Sequence, residues 1–425
     1  MKTFLLLVNF LITFCVLYAQ NPEWINYNTT NSGLPNYYVS SITIDGSGDK
    51  WFGTGAGGVA KLADTTWTVY NSSNSGLPYD GVTSITIEEG TGIKWIGTNQ
   101  GLAKFDDTTW TDYDCLNSGL TWWIVNSVAI DNSGHKWIGT FSGGLDRFDG
   151  DTTWTVYKTQ NSGLPSNYVW SIVIDNSGDL WIGTGAGLAH FNGDSSWTVY
   201  NTSNTGLSND NVTSVAIDGS GNKWIGTSHG GLAKFDGTTW VVYDSTNSVL
   251  LDNSVISIAI DESGNKWIGT YFGLVKFDDT NWTVYTDLNS GLPENTVTSI
   301  AIDGLGNKWI GTTANGVSVY KEGGVVLSVE EAQKNNTPKA IVLFQNYPNP
   351  FNATTTIKYK VTEPGFVSLK VFDVMGTEVT SLINEQKPVG DYSIEWNARG
   401  LAGGIYFCRL QAGSFSDTKK LVLQK

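Results

Sequence analysis

Residues 211 to 243 read NVTSVAIDGSGNKWIGTSHGGLAKFDGTTWVVY, and the turn residues cut this stretch into four short segments. Asn211 to Asp218 is rich in β-branched residues and predicts a first strand. Gly219-Ser220-Gly221-Asn222 predicts a tight turn, Lys223 to Thr227 (KWIGT) a second strand, and Ser228-His229-Gly230 a loop. Gly231 to Asp236 then makes a third strand, Gly237-Thr238 a turn, and Thr239 to Tyr243 a fourth. Each strand is joined to the next by only a few residues, so the segment must be an antiparallel meander.

The same pattern recurs on both sides. The KWIGT segment, or a near copy, places its indole at Trp51, Trp95, Trp137, Trp181, Trp224, Trp267 and Trp309, a period of 42 to 44 residues. A second ladder, usually TWTVY, supplies Trp24, Trp67, Trp110, Trp154, Trp197, Trp240 and Trp282. A four-stranded repeat of that length is the unit of a β-propeller. No stretch carries helical periodicity over a useful length, which excludes a helical solenoid. The last repeat stops at Val317-Ser318-Val319-Tyr320 without a fourth strand, and Trp24-Ile25-Asn26-Tyr27 at the start is the missing one. The expectation is an all-β fold: a seven-bladed β-propeller over 21–320 closed by its N-terminal strand, with both open sheet edges removed. A polar stretch over 321–342 reads as a linker, and 343–425 as a small β-sandwich.

The bulk properties narrow the partners. The chain has 425 residues, 40 acidic against 25 basic ones and a formal charge of −15, so it repels phosphate backbones and nucleic acid is not an expected partner. Residues 1–20 read as an export signal: Lys2, the apolar run Phe4 to Leu17, then Tyr18-Ala19-Gln20. That run is too short for a membrane anchor, and no other stretch would span a bilayer, so no transmembrane anchor is expected. Cys115 and Cys408 fall in different expected domains and read as unpaired small apolar residues.

Chemistry-bearing residues are few. His135 falls in a turn, where a solvated side chain is expected, and His190 takes a slot that is lysine in other repeats (Lys61, Lys104). His229 lies in the loop between strands two and three, on the face where ligands usually meet propellers. The turn residues Asp45, Asp131, Asp175, Asp218, Asp261 and Asp303 read as turn caps, since one carboxylate per turn is too few for a calcium shell. No cofactor and no metal are expected. Large aromatics occupy variable loop slots at Tyr37, Tyr38, Tyr79, Trp122, Trp123 and Phe141, and again at Tyr168, Tyr271 and Phe272. Carboxylates occupy the inter-blade loops at Asp80, Asp210, Asp252 and Glu294. Exposed rings with polar neighbours suit sugar faces; the same rings could equally pack between blades. Trp170, in phase with Ile172 and Ile174, is expected in the core. Three readings stand: a surface module binding a glycan or an extracellular protein, a structural adhesin or spacer, and a polysaccharide lyase or hydrolase needing a pair such as His229 with Asp210.

Two resemblances add to this. The NSGLP segments (31–35, 74–78, 161–165, 289–293), the Ile-Asp-x-Ser-Gly-Asn turn and the WIGT strand resemble the propeller repeats of hybrid two-component regulators. The resemblance covers about residues 21–320. It implies an extracellular sensing propeller whose ligands are often glycans; the membrane-spanning, kinase and DNA-binding regions of those proteins have no counterpart here. In the tail, YPNPFN (347–352), VFDVMG (371–376), GLAGGIYF (400–407) and KKLVL (419–423) follow in the order of a type IX secretion system type A sorting domain. This resemblance implies a Gram-negative bacterium of the Bacteroidetes or a related group, the type IX machinery as a partner, and a protein secreted or held on the outer surface.

Overall fold

The computed structural model describes residues 23–325, 327, 341–344, 346–361, 364–373, 377–412 and 415–424. The export signal expected over 1–20 lies outside them, as does most of the segment expected as a linker. The chain divides between residues 329 and 330 into two compact units. Among the described residues there is no helix.

The first unit is seven four-stranded antiparallel sheets in sequence order. Blade one runs Val39–Ile44, Lys50–Thr54, Val59–Ala63 and Thr66–Tyr70. Blades two to six begin at Val82, Val125, Val169, Val212 and Val255. Blade seven takes Val297–Ile302, Lys308–Thr312 and Val317–Tyr320 from the end of the repeat array, and Trp24–Tyr27 from its start. Trp24 pairs with Tyr320 and Tyr27 with Val317. The Ser318 hydroxyl donates to Asn26 Oδ1 at 2.6 Å, across 292 residues of sequence. The ring is therefore closed as the ladder count requires.

The physical content of the KWIGT motif is visible at Trp224. Its ring is fully buried, and its indole N–H donates to Asp218 Oδ2 at 3.0 Å. The other oxygen of Asp218 accepts the backbone N–H groups of Ser220 and Asn222. The turn carboxylate thus closes its own hairpin and satisfies a buried indole, which an apolar core alone could not do. Lys234 of the same blade lies 5.3 Å from the ring centroid, and Lys266 of the next blade 4.5 Å away. This placement of a KWIGT lysine on the preceding blade's tryptophan recurs for Lys94 on Trp51 and Lys308 on Trp267. Cation–π contacts desolvated in this way contribute on the order of 1–2 kcal/mol each, and they tie blade to blade around the ring. Val325, 2% exposed, packs in the core cluster of blades one and seven, so the propeller draws on side chains beyond Tyr320.

The second unit is a β-sandwich. One sheet holds Ile341–Leu343, Thr354–Val361 and Gly390–Asn397; the other holds Glu378–Lys387, Gly365–Phe372, Gly404–Ala412 and Phe415–Leu423. Burial alternates with period two along Gly404–Ala412, as a sheet with one solvated face requires. Ile357, Tyr359, Leu369, Trp396 and Cys408 meet in its core, and burial pushes the Cys408 thiol up to about 12. The YPNPFN segment is stitched in by asparagines. Asn346 donates to Pro348 O and Thr355 Oγ1, and Asn349 exchanges hydrogen bonds with Lys420 O and Val422 N on the last strand. Cys115 and Cys408 are free.

Candidate ligand site at the mouth of the central channel

In all seven blades the pairing register slips within the first three residues of the innermost strand. Such a bulge turns one side chain away from the alternation of its strand, and here that side chain faces the central channel. In five blades it is polar and reaches the next blade. The Ser40 hydroxyl donates to Val82 O at 2.5 Å, Thr213 to Val255 O at 2.5 Å, and the Asn126 amide to Val169 O at 2.9 Å. Thr83 bonds Val125 O and Thr298 bonds Val39 O in the same way. Blades four and six break the ring with Trp170 and Ile256.

Trp170, which the phase of its strand with Ile172 and Ile174 places in the core, lies instead on the channel wall. The bulge takes it out of phase with Ile172, which is 6% exposed, and sets it half-buried on the channel wall. Its indole N–H is shielded from solvent and has no hydrogen-bond partner among the described residues.

The cavity at this mouth has a volume of about 470 Å³. Tyr38 and Tyr271 line it with Trp170, Asn99 and the bulge residues. Among the described residues no charged side chain lines it, despite the acidity of the chain. Burial, with Tyr271 nearby, raises the Tyr38 phenol above its usual range and keeps it neutral. Beside the cavity, Phe141 meets Tyr168 edge-to-face with centroids 5.3 Å apart, and Trp170 in the same manner at 5.7 Å. The Phe141 N–H donates to Ile124 O, and the 141–144 loop lies against Trp122 at Gly143. Trp122 and Trp123 are 40% and 39% exposed. Phe141, Tyr168 and Trp170 are thus brought together, with Trp122 on the flanking loop, whereas Tyr37 and Phe272 are exposed away from the cavity lining.

The carboxylates serve the loops instead. Asp210 accepts the Thr202 N–H at 2.7 Å, and Asp80 the Ser72 N–H at 2.7 Å. Asn167, Asn253 and Asn295 hold the same position in their own loops. Glu294 accepts from Ala314 N at 2.6 Å and from the Thr313 hydroxyl. Asp252 makes no hydrogen bond among the described residues. His229 Nδ1 contacts Ser228 Oγ at 3.0 Å and makes no hydrogen bond to Asp210, so the hydrogen-bonded pair an enzyme would need is not formed among the described residues. His135 departs from the solvated reading: it bridges Asp131 at 2.9 Å and Arg147 at 2.8 Å. His190 stacks on Trp181 and contacts Asp179 at 2.8 Å.

One buried acid was not singled out from sequence. Asp146 stands where other blades have Ala60, Ala103, Ala189 and Ala233, and it is fully buried. Thr121, which replaces the proline of the NSGLP loops, donates both its N–H and its hydroxyl to this carboxyl at 2.8 Å. The two replacements compensate, since losing proline adds a backbone donor and Asp146 supplies its acceptor. Together they hold the loop that carries Trp122 and Trp123. Burial pushes Asp146 up to about 7, against the pull of the Thr121 hydrogen bonds and Lys158. The folded state then keeps a proton that the unfolded chain releases near pH 4, so this group's contribution is greatest below pH 4 and declines as pH rises to 7. The decline is at most about 4 kcal/mol. Thermal melts of wild type and Asp146→Asn between pH 4 and 8 should show the variant gaining relative stability with rising pH. Parallel curves would refute the buried titration.

Residues 345–424 match the family model described as Secretion system C-terminal sorting domain, and residues 163–186 match that of the Two component regulator propeller. No curated protein matches the chain. Among solved structures, the extracellular domain of the hybrid two component system BT3049 from B. thetaiotaomicron is similar at 19% identity and a TM-score of 0.62, with 95% of this chain and 57% of that one covered. PorZ, a surface component of the type-IX secretion system of Porphyromonas gingivalis, is similar at 19% identity and a TM-score of 0.61, with 93% and 60% covered. Streptogramin B lyase is similar at 13% identity and 0.59, with 70% and 97% covered. At these identities the likeness shows the fold alone. The chain spans less than two thirds of the length of the first two.

The protein is a seven-bladed β-propeller with one segment, 163–186, that matches the two-component-regulator propeller repeat, followed by a tail, 345–424, that matches a secretion-system sorting domain. Its tail implies an interaction with the type IX secretion machinery, and the protein is secreted or displayed at the cell surface. Among the described residues no helix is long and apolar enough to cross a membrane.

Proposed function

We propose that the propeller is a ligand-binding module that recognises an extracellular glycan through its channel-mouth face. The observation that carries this reading is the uncharged cavity with Trp170 on its wall and Phe141 and Tyr168 beside it. Flat rings give apolar faces to sugar rings, and neutral amides and hydroxyls orient sugar hydroxyls without the desolvation cost of a charge. The domain boundaries consistent with this reading are a propeller from residue 21 through about 325 and a sorting domain over 343–425. The latter delivers the former outside a cell of the Bacteroidetes or a related group.

The test is a glycan array probed with the whole secreted chain, alongside Tyr168→Ala and Trp122→Ala/Trp123→Ala. The expected result is a set of neutral glycans bound by wild type and at least tenfold more weakly by Tyr168→Ala. A blank array with folded protein would overturn the glycan reading and leave a protein ligand or a spacer.

A further inference from the structure

The ring of bulge residues carries an asymmetry that packing does not explain. A propeller gains from having a donor at this position in every blade, because each such bond ties one blade's innermost strand to the next. Five seams have it. At the other two, Trp170 and Ile256 give nothing to the carbonyl oxygens of Val212 and Val297, which receive no side-chain donor among the described residues. At blade four the sequence also adds a donor, the indole N–H, and leaves it shielded and unpaired. Shielding a polar group without a partner costs on the order of 1–3 kcal/mol, and such a cost is often retained where a ligand supplies the missing bond.

The remaining wall narrows the ligand. The Thr83 and Thr213 hydroxyls spend their protons on the neighbouring blade, so their oxygens are left to accept. Asn99, Tyr38 and Tyr271 add neutral groups that both donate and accept. A wall of acceptors, neutral phenols and one indole face suits a neutral ring bearing several hydroxyl donors. A phosphate, sulfate or carboxylate would find no cation in this lining. A volume of about 470 Å³ lies within the range of small-molecule sites, about 300–1,000 Å³. The cavity is bounded by the bulge residues of all seven blades, so it receives an inserted end and gives a chain no path to run through sideways.

We propose that the channel mouth binds the terminal ring of a neutral glycan end-on, with the ring seated on Trp170 and the indole N–H donating to one of its oxygens. This rests on the glycan reading of the same face and adds which part of the glycan is read.

The test uses the whole secreted chain, calorimetric titration with neutral hexoses as methyl glycosides, and linear di- to hexasaccharides of the same sugar. Wild type should bind the monosaccharide, and affinity should rise less than about threefold from the disaccharide to the hexasaccharide. Trp170→Thr installs the residue of blades two, five and seven, which can reach Val212 O and so preserves the fold. It should weaken monosaccharide binding at least tenfold with a thermal midpoint no lower than that of wild type. Affinity that climbs steadily with chain length would overturn end-on recognition while leaving the glycan reading intact. So would array hits lost in Tyr168→Ala but kept in Trp170→Thr. If no saccharide binds and the array is blank, both readings fall.

Discussion

Replacing Trp224 with alanine is expected to lower the stability of the propeller by about 3–5 kcal/mol, the cost of truncating a large buried aromatic side chain. The loss has several sources. The ring is fully buried, and its removal leaves a cavity between blades five and six. Asp218 loses the indole donor that helps hold it in its ionised form; that hydrogen bond is among those keeping the carboxyl below its usual range. Lys266, 2% exposed, would lose the face it lies over while keeping Asp279 at 2.5 Å as its only counter-charge among the described residues. Urea denaturation followed by circular dichroism gives the measurement, with Trp224→Phe as companion. Phenylalanine keeps an aromatic face and loses the N–H, so it should fall between the two. A loss below about 1 kcal/mol for the alanine variant would mean that these rings are not what joins the blades.

The second large effect is expected at Gly231. This residue immediately precedes the third strand of blade five, Leu232–Phe235, with φ of +80°, and a Cβ there would lie 2.2 Å from the carbonyl oxygen of Tyr243. The obstacle is backbone, so no rotamer change relieves it. Its N–H also donates to Asn253 O at 2.8 Å, which ties the residue to the loop leading into blade six. Gly231→Ala must therefore distort the loop between strands two and three, at a cost on the order of 3 kcal/mol. A control separates strain from a general intolerance of alanine: Gly219, in the exposed hairpin turn, has open space where its Cβ would be. Gly219→Ala should shift the thermal midpoint little, and equal effects at the two sites would refute the steric account.

The architecture was legible because it repeats. One alternation is weak evidence for a strand, but a tryptophan ladder recurring seven times in phase fixes strand number, order and ring closure together. Lys223–Thr227 is a strand with the bounds that its turn residues predicted. The site was less legible, for reasons that can be named. Trp170 lies in an alternating run, and nothing in the run announces that the register slips beside it; only the column Ser40, Thr83, Asn126, Thr213 and Thr298 marks the position as special. Asp210 and Glu294 looked free for ligands because the backbone N–H groups they serve belong to loops eight to twenty residues away. Asp146 was hidden because its partner Thr121 is 25 residues distant, and each departs from the repeat in a way that makes sense only beside the other. Type and position in a loop indicate a face, whereas the partners that occupy a side chain depend on contacts that the sequence does not order.

The seam of blade seven has a consequence for the order in which the molecule forms. Each of blades one to six is a local meander, whose strands need only a hairpin to meet. Blade seven cannot finish that way, because Trp24–Tyr27 must find Val317–Tyr320. Bringing such distant segments together carries an entropic cost that local hairpins do not. Until it happens, the chain is an open arc with a bare strand at one end and a three-stranded sheet at the other. Such edges invite pairing between molecules. The arc is therefore the aggregation-prone form of this protein, and how briefly a newly exported chain remains an arc governs how much of it matures.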